Sequence, residues 1–254
     1  MADLLGAHAV SKAFAGRPVL REVSFTLAAG AALGIVGESG AGKTTLLRLL
    51  LGLLAPDAGT ITWDGIDLAT LSAAQVRRRR PAVQAVFQDP TAALHPRQRV
   101  LELVGEAPRV HRVAADWRDH AAAQLRRVGL PAELHRRFPH QLSVGQRQRV
   151  AVARALALRP RVLLCDEPVA ALDASVRGQV LNLLAATRRA DGTALLVISH
   201  DLEAVAGLCD AVLVLRAGEV VEAGATKTVF GAPQHEYTAA LVRAGLGAAA
   251  ATAP

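Results

Sequence analysis

Gly37-Glu38-Ser39-Gly40-Ala41-Gly42-Lys43-Thr44 matches the pattern G-x-x-x-x-G-K-[ST]. Glycines at these positions let consecutive backbone N–H groups curl around phosphate oxygens, and a helix opening near Lys43 would aim the positive end of its dipole at the same place. In that setting Lys43 reaches the β- and γ-phosphates of a nucleotide and the Thr44 hydroxyl ligates Mg²⁺. A second candidate is Val162-Leu163-Leu164-Cys165-Asp166-Glu167, an apolar run that ends in paired carboxylates. Asp166 is suited to hold Mg²⁺, directly or through water; Glu167, one residue on, points to the other side of the strand and can polarise an attacking water as general base. Taken alone, such a pair reads better as a solvated acidic strand end, so its weight comes from following the glycine loop. Between the two lies Leu142-Ser143-Val144-Gly145-Gln146-Arg147-Gln148, where Ser143 stands as the N-cap of a helix with an apolar stripe.

These residues need a scaffold that brings them together. Ala32–Val36 reads as a buried strand, and Thr44–Leu54 has the length and leucine density of a buried helix, so the glycine loop sits between strand and helix. Before it, Ala9-Val10, Val19-Leu20 and Val23–Leu27 predict short strands of an antiparallel patch. Gly59–Gly65 alternates like a hairpin strand and Ala82–Phe87 is a further strand. Thr91–Arg159 is rich in Ala, Arg, Leu and His with helical periodicity, and Pro96, Pro108, Pro131 and Pro139 predict breaks in it. The apolar runs Val162–Cys165, Ala194–Ile198 and Ala211–Leu215 then point to a parallel sheet covered on both faces, hence an α/β fold.

Composition narrows the class. The chain has 254 residues, 52% of them hydrophobic, but charges interrupt every apolar run before the ~18 residues a membrane span requires. No signal or transit peptide is read at Met1-Ala2-Asp3-Leu4, so a cytoplasmic protein is expected. Cys165 and Cys209 lack metal-ligand spacing and read as small buried hydrophobes. A net charge of +7, carried mostly by Arg, favours anionic partners in general. The run Arg77-Arg78-Arg79-Arg80 reads as a solvated helix end before Pro81. His111, His120, His135 and His140 show no repeated metal-ligand spacing.

The stretch from Leu142 to Gln146 resembles the LSGGQ signature of ABC ATPases, with Val144 in place of the first glycine. Gly37–Thr44, Gln88, Asp166-Glu167, Ala171-Leu172-Asp173 and His200 fall where that family has its Walker A, Q-loop, Walker B, D-loop and switch histidine. The resemblance covers residues 8–242 and implies a P-loop NTPase (ABC ATPase) core with an antiparallel β subdomain and a helical signature subdomain at about 91–159, within a domain of residues 1–242. Residues 243–254 are expected to form a flexible tail.

By this resemblance ATP and Mg²⁺ bind between two subunits. Phe14 stacks on adenine; Gly37, Ser39, Gly40, Gly42, Lys43, Thr44 and Thr45 hold the phosphates. Gln88 touches the metal or the nucleophilic water, and His200 contacts the γ-phosphate. Ser143, Gly145, Gln146 and Asp173 complete a site across the dimer. A residue in the first helical turn has negative φ, so Val144 is expected to be tolerated there.

Val86-Phe87-Gln88-Asp89-Pro90, Asp166-Glu167-Pro168 and Pro233-Gln234-His235-Glu236-Tyr237-Thr238 are similar to the oligopeptide, dipeptide and nickel importer branch. That branch implies a peptide, nickel or metal-chelate cargo and a second, unlike ATPase, with a homodimer as the alternative. It also implies two membrane permeases, an extracytoplasmic solute-binding protein, and a peripheral location on the cytoplasmic face of the membrane. The cysteine-bearing extension of one member of such pairs is not seen, as expected for the shorter partner. A soluble ABC ATPase of an enzyme complex, of the carbon–phosphorus lyase accessory type, is the rival reading. A nucleic-acid role is not expected, because the chain shows neither a long coiled-coil insertion nor a second cassette.

Overall fold

The computed structural model describes residues 3–170 and 172–246. The chain starts with two long strands, β1 (Asp3–Phe14) and β2 (Arg17–Ala28), then β3 (Ala32–Val36) and α1 (Lys43–Leu50). β4 (Ala58–Trp63), β5 (Ile66–Asp67), α2 (Ala73–Arg79) and β6 (Val83–Val86) follow. A helical stretch comes next: α3 (Pro90–Ala93), α4 (Val100–His111), α5 (Trp117–Arg127) and α6 (Val144–Leu156). The remainder alternates as β7 (Val162–Asp166), α7 (Ala174–Asp191), β8 (Ala194–Ile198), α8 (Leu202–Leu208), β9 (Ala211–Arg216), β10 (Glu219–Ala225), α9 (Thr226–Gly231) and α10 (Glu236–Leu246).

Two sheets result. One is four-stranded and antiparallel, in the order β2-β1-β4-β5; the other is six-stranded, in the order β10-β9-β3-β8-β7-β6, parallel throughout except for the β9–β10 hairpin. Every residue of β3, β7 and β8 is buried, which is why these strands read as continuous apolar runs. Their side chains alternate between two cores. Leu163, Cys165, Leu195 and Val197 face the cluster shared with α4 to α10, while Leu164, Leu196 and Ile198 face α1 and the antiparallel sheet.

Several sequence expectations are corrected. β1 and β2 are continuous 12-residue strands rather than short pieces. Bulges interrupt their alternation, with Ala9 and Glu22 at φ of 48° and 49°. Side chains satisfy the displaced amides there: Ala9 N–H donates to Ser24 Oγ at 2.8 Å and Glu22 N–H to Ser11 Oγ at 3.0 Å. α1 stops at Leu50 rather than Leu54, because Gly52 takes a left-handed conformation (φ 62°) and the N–H groups of Gly52 and Leu53 turn back to Leu49 and Arg48 carbonyls. Pro108 does not break α4. It lies in the last turn, and the helix ends only where Arg112 turns left-handed at φ 54°. At the other end of the chain, Arg243 to Leu246 are helical, continuing α10, and the rest of the expected tail, 247–254, lies outside the described residues.

Close packing of α8 on the sheet depends on one small residue. A β-carbon on Gly34 of β3 would lie 2.4 Å from Val205 Cγ1, and the β-branched valine has little freedom to move aside. Gly34→Ala should therefore destabilise the protein by about 1–3 kcal/mol through overpacking, with partial recovery when Val205→Ala is added. An unchanged melting temperature for the single variant would contradict this packing.

Candidate nucleotide site

At the carboxyl edge of the parallel sheet a cleft of about 670 Å³ is lined by Val19, Ser39, Gly40, Gly42, Lys43, Thr44, Thr45, Gln88, Asp166, Glu167 and His200. In doubly wound sheets this edge is where loops from different strands converge. The glycine loop leaves β3 and enters α1 here. A β-carbon on Gly37 would lie 2.1 Å from the Leu215 carbonyl oxygen, and Gly42, at φ 105°, would meet Val19 O at 2.8 Å, so the loop approaches other backbone too closely for a side chain at either position. Gly42 caps α1 without a side-chain partner, and the first turn carries no acidic residue. The first-turn amides of α1 are thus available to an anion.

Lys43 folds back onto its own loop, donating to the carbonyl oxygens of Gly37 (2.6 Å) and Glu38 (2.8 Å). Burial pulls its ammonium below the usual lysine range, against the opposing charges of Glu167, Asp166 and Glu38. Asp166 is displaced the other way: burial and then the neighbouring Glu167 raise its carboxyl, while Lys43 and Arg48 oppose the rise. A polyphosphate with a divalent cation suits both groups, since it offers Lys43 an anion and Asp166 a cation. No cluster of His, Cys, Asp or Glu able to hold a metal occurs among the described residues, so an ion here would rely on Thr44, Gln88, Asp166 and the phosphates themselves. Such sparse protein ligation is the habit of Mg²⁺.

Glu167 does not continue β7. It is in the left-handed region (φ 49°), with its N–H donating to Ile198 O at 2.8 Å, and this turn places its carboxylate in the same cleft as that of Asp166. The carboxylate accepts Ser199 Oγ–H (3.1 Å) and His200 N–H (3.1 Å), and lies 2.7 Å from His200 Nδ1. Glu167 is buried while the His200 side chain is 68% exposed, so the imidazole stands at the cleft mouth. Ser199 also accepts the Asp201 N–H, and Asp201 caps α8 and pairs with Arg177.

Gly37 opens the glycine loop without lining the cleft, and the other expected residues outside it divide into two groups. Phe14 is exposed at the end of β1, with Lys12 Nζ 5.7 Å from its ring; Val19 is the residue of the antiparallel sheet in the cleft wall. Ser143, Gly145, Gln146 and Asp173 are at helix starts away from it. Ser143 and Gln146 form a reciprocal capping box on α6, and Asp173 caps α7 through Val176 N–H. Gly145 is required by packing as well, because a β-carbon there would lie 2.5 Å from Val176 Cγ1. Val144 occupies the first turn of α6 with its side chain exposed. Ala171, part of the expected D-loop, lies outside the described residues. Sequence reasoning missed Val19 and Ser199, and also Gln148, which is buried and donates to Pro168 O at 2.8 Å just beyond Glu167. Ser199 could have been suspected from its place before His200 at a strand end; Val19 carries no local signal.

Comparison with known proteins places the chain in a family. The sequence pattern described as ABC transporter matches residues 20–170. A Brucella ovis protein named as a peptide import ATP-binding protein is 44% identical over 228 residues, covering 89% of this chain and 72% of that protein. The oligopeptide transport ATP-binding protein OppF of Haemophilus influenzae is 42% identical, with 89% and 69% covered. Among solved structures, the dimeric ATP-binding cassette MJ0796 in a post-hydrolysis state with ADP and Pi superposes with a TM-score of 0.80 at 28% identity, covering 87% of this chain and 98% of that one. Fold, sequence pattern and relatives matched over most of this chain agree: the chain is an ATPase and belongs to the ABC transporter ATP-binding family.

Proposed function

We propose that this chain powers solute import by closing over ATP as half of a two-subunit sandwich, with a peptide as the best-supported cargo and nickel or a metal chelate as the other cargoes of the same branch. The observation that carries the reading is the division of the site. One cleft gathers Lys43, Thr44, Gln88, Asp166, Glu167 and His200, whereas the Ser143 capping box stands outside it, available to a partner's nucleotide. The names of the Brucella and Haemophilus relatives support import and peptide cargo. Among the described residues no helix is long and apolar enough to cross a membrane, in keeping with a peripheral subunit that leans on two permeases at the cytoplasmic face. An unlike ATPase as partner and an extracytoplasmic solute-binding protein follow from the same branch.

In this reading the loop from Gly37 to Thr45 binds the phosphates through Ser39, the backbone amides and Lys43. Thr44 and Asp166, with Gln88, would hold Mg²⁺, which neutralises phosphate charge. Glu167 accepts a proton from water as the water oxygen attacks the γ-phosphorus and the bond to the β-bridging oxygen breaks, leaving ADP and phosphate. His200 orients Glu167 and reaches the γ-phosphate from the cleft mouth. Phe14, exposed at the end of β1, offers its ring to adenine. Ser143, Gly145, Gln146 and Asp173 act on the partner's nucleotide, so binding energy becomes closure and closure drives the permeases.

Three variants test these roles. Glu167→Gln keeps the shape and one acceptor oxygen but loses the base; turnover in the reconstituted complex should fall about 100-fold or more while ATP remains bound and closed dimers accumulate. Near-normal steady-state hydrolysis would refute the role. Lys43→Ala removes a charge-assisted contact typically worth about 1.5–3 kcal/mol, so a nucleotide titration should show roughly a tenfold to hundredfold loss of affinity. Ser143→Asp preserves the N-cap but places a negative charge against the partner's γ-phosphate. Its melting temperature and its own ATP affinity should be parental while uptake by the whole complex fails; loss of its own ATP binding, or full uptake, would contradict the shared site.

A further inference from the structure

The Pro233-Gln234-His235-Glu236-Tyr237-Thr238 stretch that opens α10 is far from the phosphate loop in sequence but touches it in space. The Tyr237 hydroxyl accepts the Glu38 N–H at 3.0 Å. Its ring is 8% exposed and carries the Arg216 guanidinium 5.0 Å from its centroid, at the end of the strand whose Leu215 carbonyl abuts Gly37. The entry to α10 is itself clamped. Glu222 of β10 accepts the N–H groups of Gln234 (2.9 Å) and His235 (3.0 Å), and His235 Nδ1 accepts that of Tyr237 at 3.0 Å. Toward its other end α10 packs on α8: a β-carbon on Gly245 would lie 2.9 Å from Leu202 Cδ1, and Leu202 opens the helix that follows His200 and Asp201.

The Glu38 peptide is therefore gripped at both ends, its carbonyl by Lys43 Nζ and its N–H by Tyr237. The first grip must be released when Lys43 turns to a phosphate; the second need not be. We propose that Tyr237 is a positioning residue for the phosphate loop, holding its first residues in binding geometry when Lys43 leaves them. The inference rests on reading the glycine loop as the nucleotide site, and it places no atom of Tyr237 on the nucleotide. A loop that is already ordered binds without the cost of ordering it.

Tyr237→Phe keeps the buried ring and its stacking on Arg216 but leaves the Glu38 N–H without its acceptor. In the full chain the dissociation constants for MgATP and for ADP, which share the β-phosphate, should both rise about three- to tenfold. The melting temperature without nucleotide should remain near parental, and hydrogen exchange at the Glu38 amide should accelerate. Leu241→Ala, in the same helix and packed on the main core rather than on the loop, should lower the melting temperature and leave affinity unchanged. Lys43→Ala, titrated alongside, reports separately on the loop itself. If Lys43→Ala weakens binding but Tyr237→Phe does not, the positioning role is wrong while the nucleotide site stands. The role is also wrong if Leu241→Ala weakens binding as much as Tyr237→Phe, since general loosening of α10 would then account for both. Unchanged affinity in Lys43→Ala would remove the nucleotide site and this inference with it.

Discussion

Everything at the cleft hangs on the hydrogen-bond ladder of three adjacent parallel strands. Ile35 of β3 is opposite Ile198 of β8, and Ile198 is opposite Asp166 of β7. The ladder runs on past the strands, since Ser199 N–H donates to Ile35 O at 3.2 Å and Glu167 N–H to Ile198 O at 2.8 Å. Loops that are widely separated in sequence, those of the glycines, the acidic pair and the histidine, therefore emerge side by side. A register slip of one residue in β7 would draw the Asp166 carboxylate into the apolar interior, where an unpaired polar group costs several kcal/mol. Burial on both faces of these strands thus protects the geometry of the site as much as the stability of the fold.

The same burial sets the electrostatics. Lys43 and Asp166 are each pushed toward their neutral forms by desolvation, and each is pulled back by the other's charge. With the loop carbonyls as its hydrogen-bond acceptors, Lys43 holds a position it can leave without unfolding the loop. Glu167 is held more firmly, by Ser199 and by both the backbone and the ring of His200. One charge is thus free to move toward a phosphate while the carboxylate beside it stays oriented, which is the division of labour that phosphate chemistry requires.

Beyond the core they share, the helical region reaches this edge through a few specific contacts. Gln148 of α6 donates to Pro168 O, immediately beyond Glu167, and Gly145 of α6 admits Val176 of α7. Arg177, next to Val176, pairs with Asp201 beside the His200 loop. Displacement of α6 is therefore felt on both sides of the acidic pair. Under the proposed closure on a second subunit, this is the connection that would carry it to the acidic pair.

What could be read from the sequence was what is contiguous: the glycine loop, the acidic strand end, the Ser143 cap, and the fully buried strands, whose apolar runs reflect cover on both faces. These depend on neighbours within a few residues, so residue type and spacing determine them. The long β1 and β2 strands were hidden because bulges interrupt their alternation, and the end of α1 because its leucine run continues beyond Gly52. Only the folded chain decided that Val19 of β2 lines the cleft, that Ser199 holds Glu167, and that Tyr237 reaches back to Glu38 across 199 positions of sequence. Hydrogen bonds and packing of this kind are selected by the three-dimensional register of strands and helices, and no local pattern encodes a partner that distant along the chain.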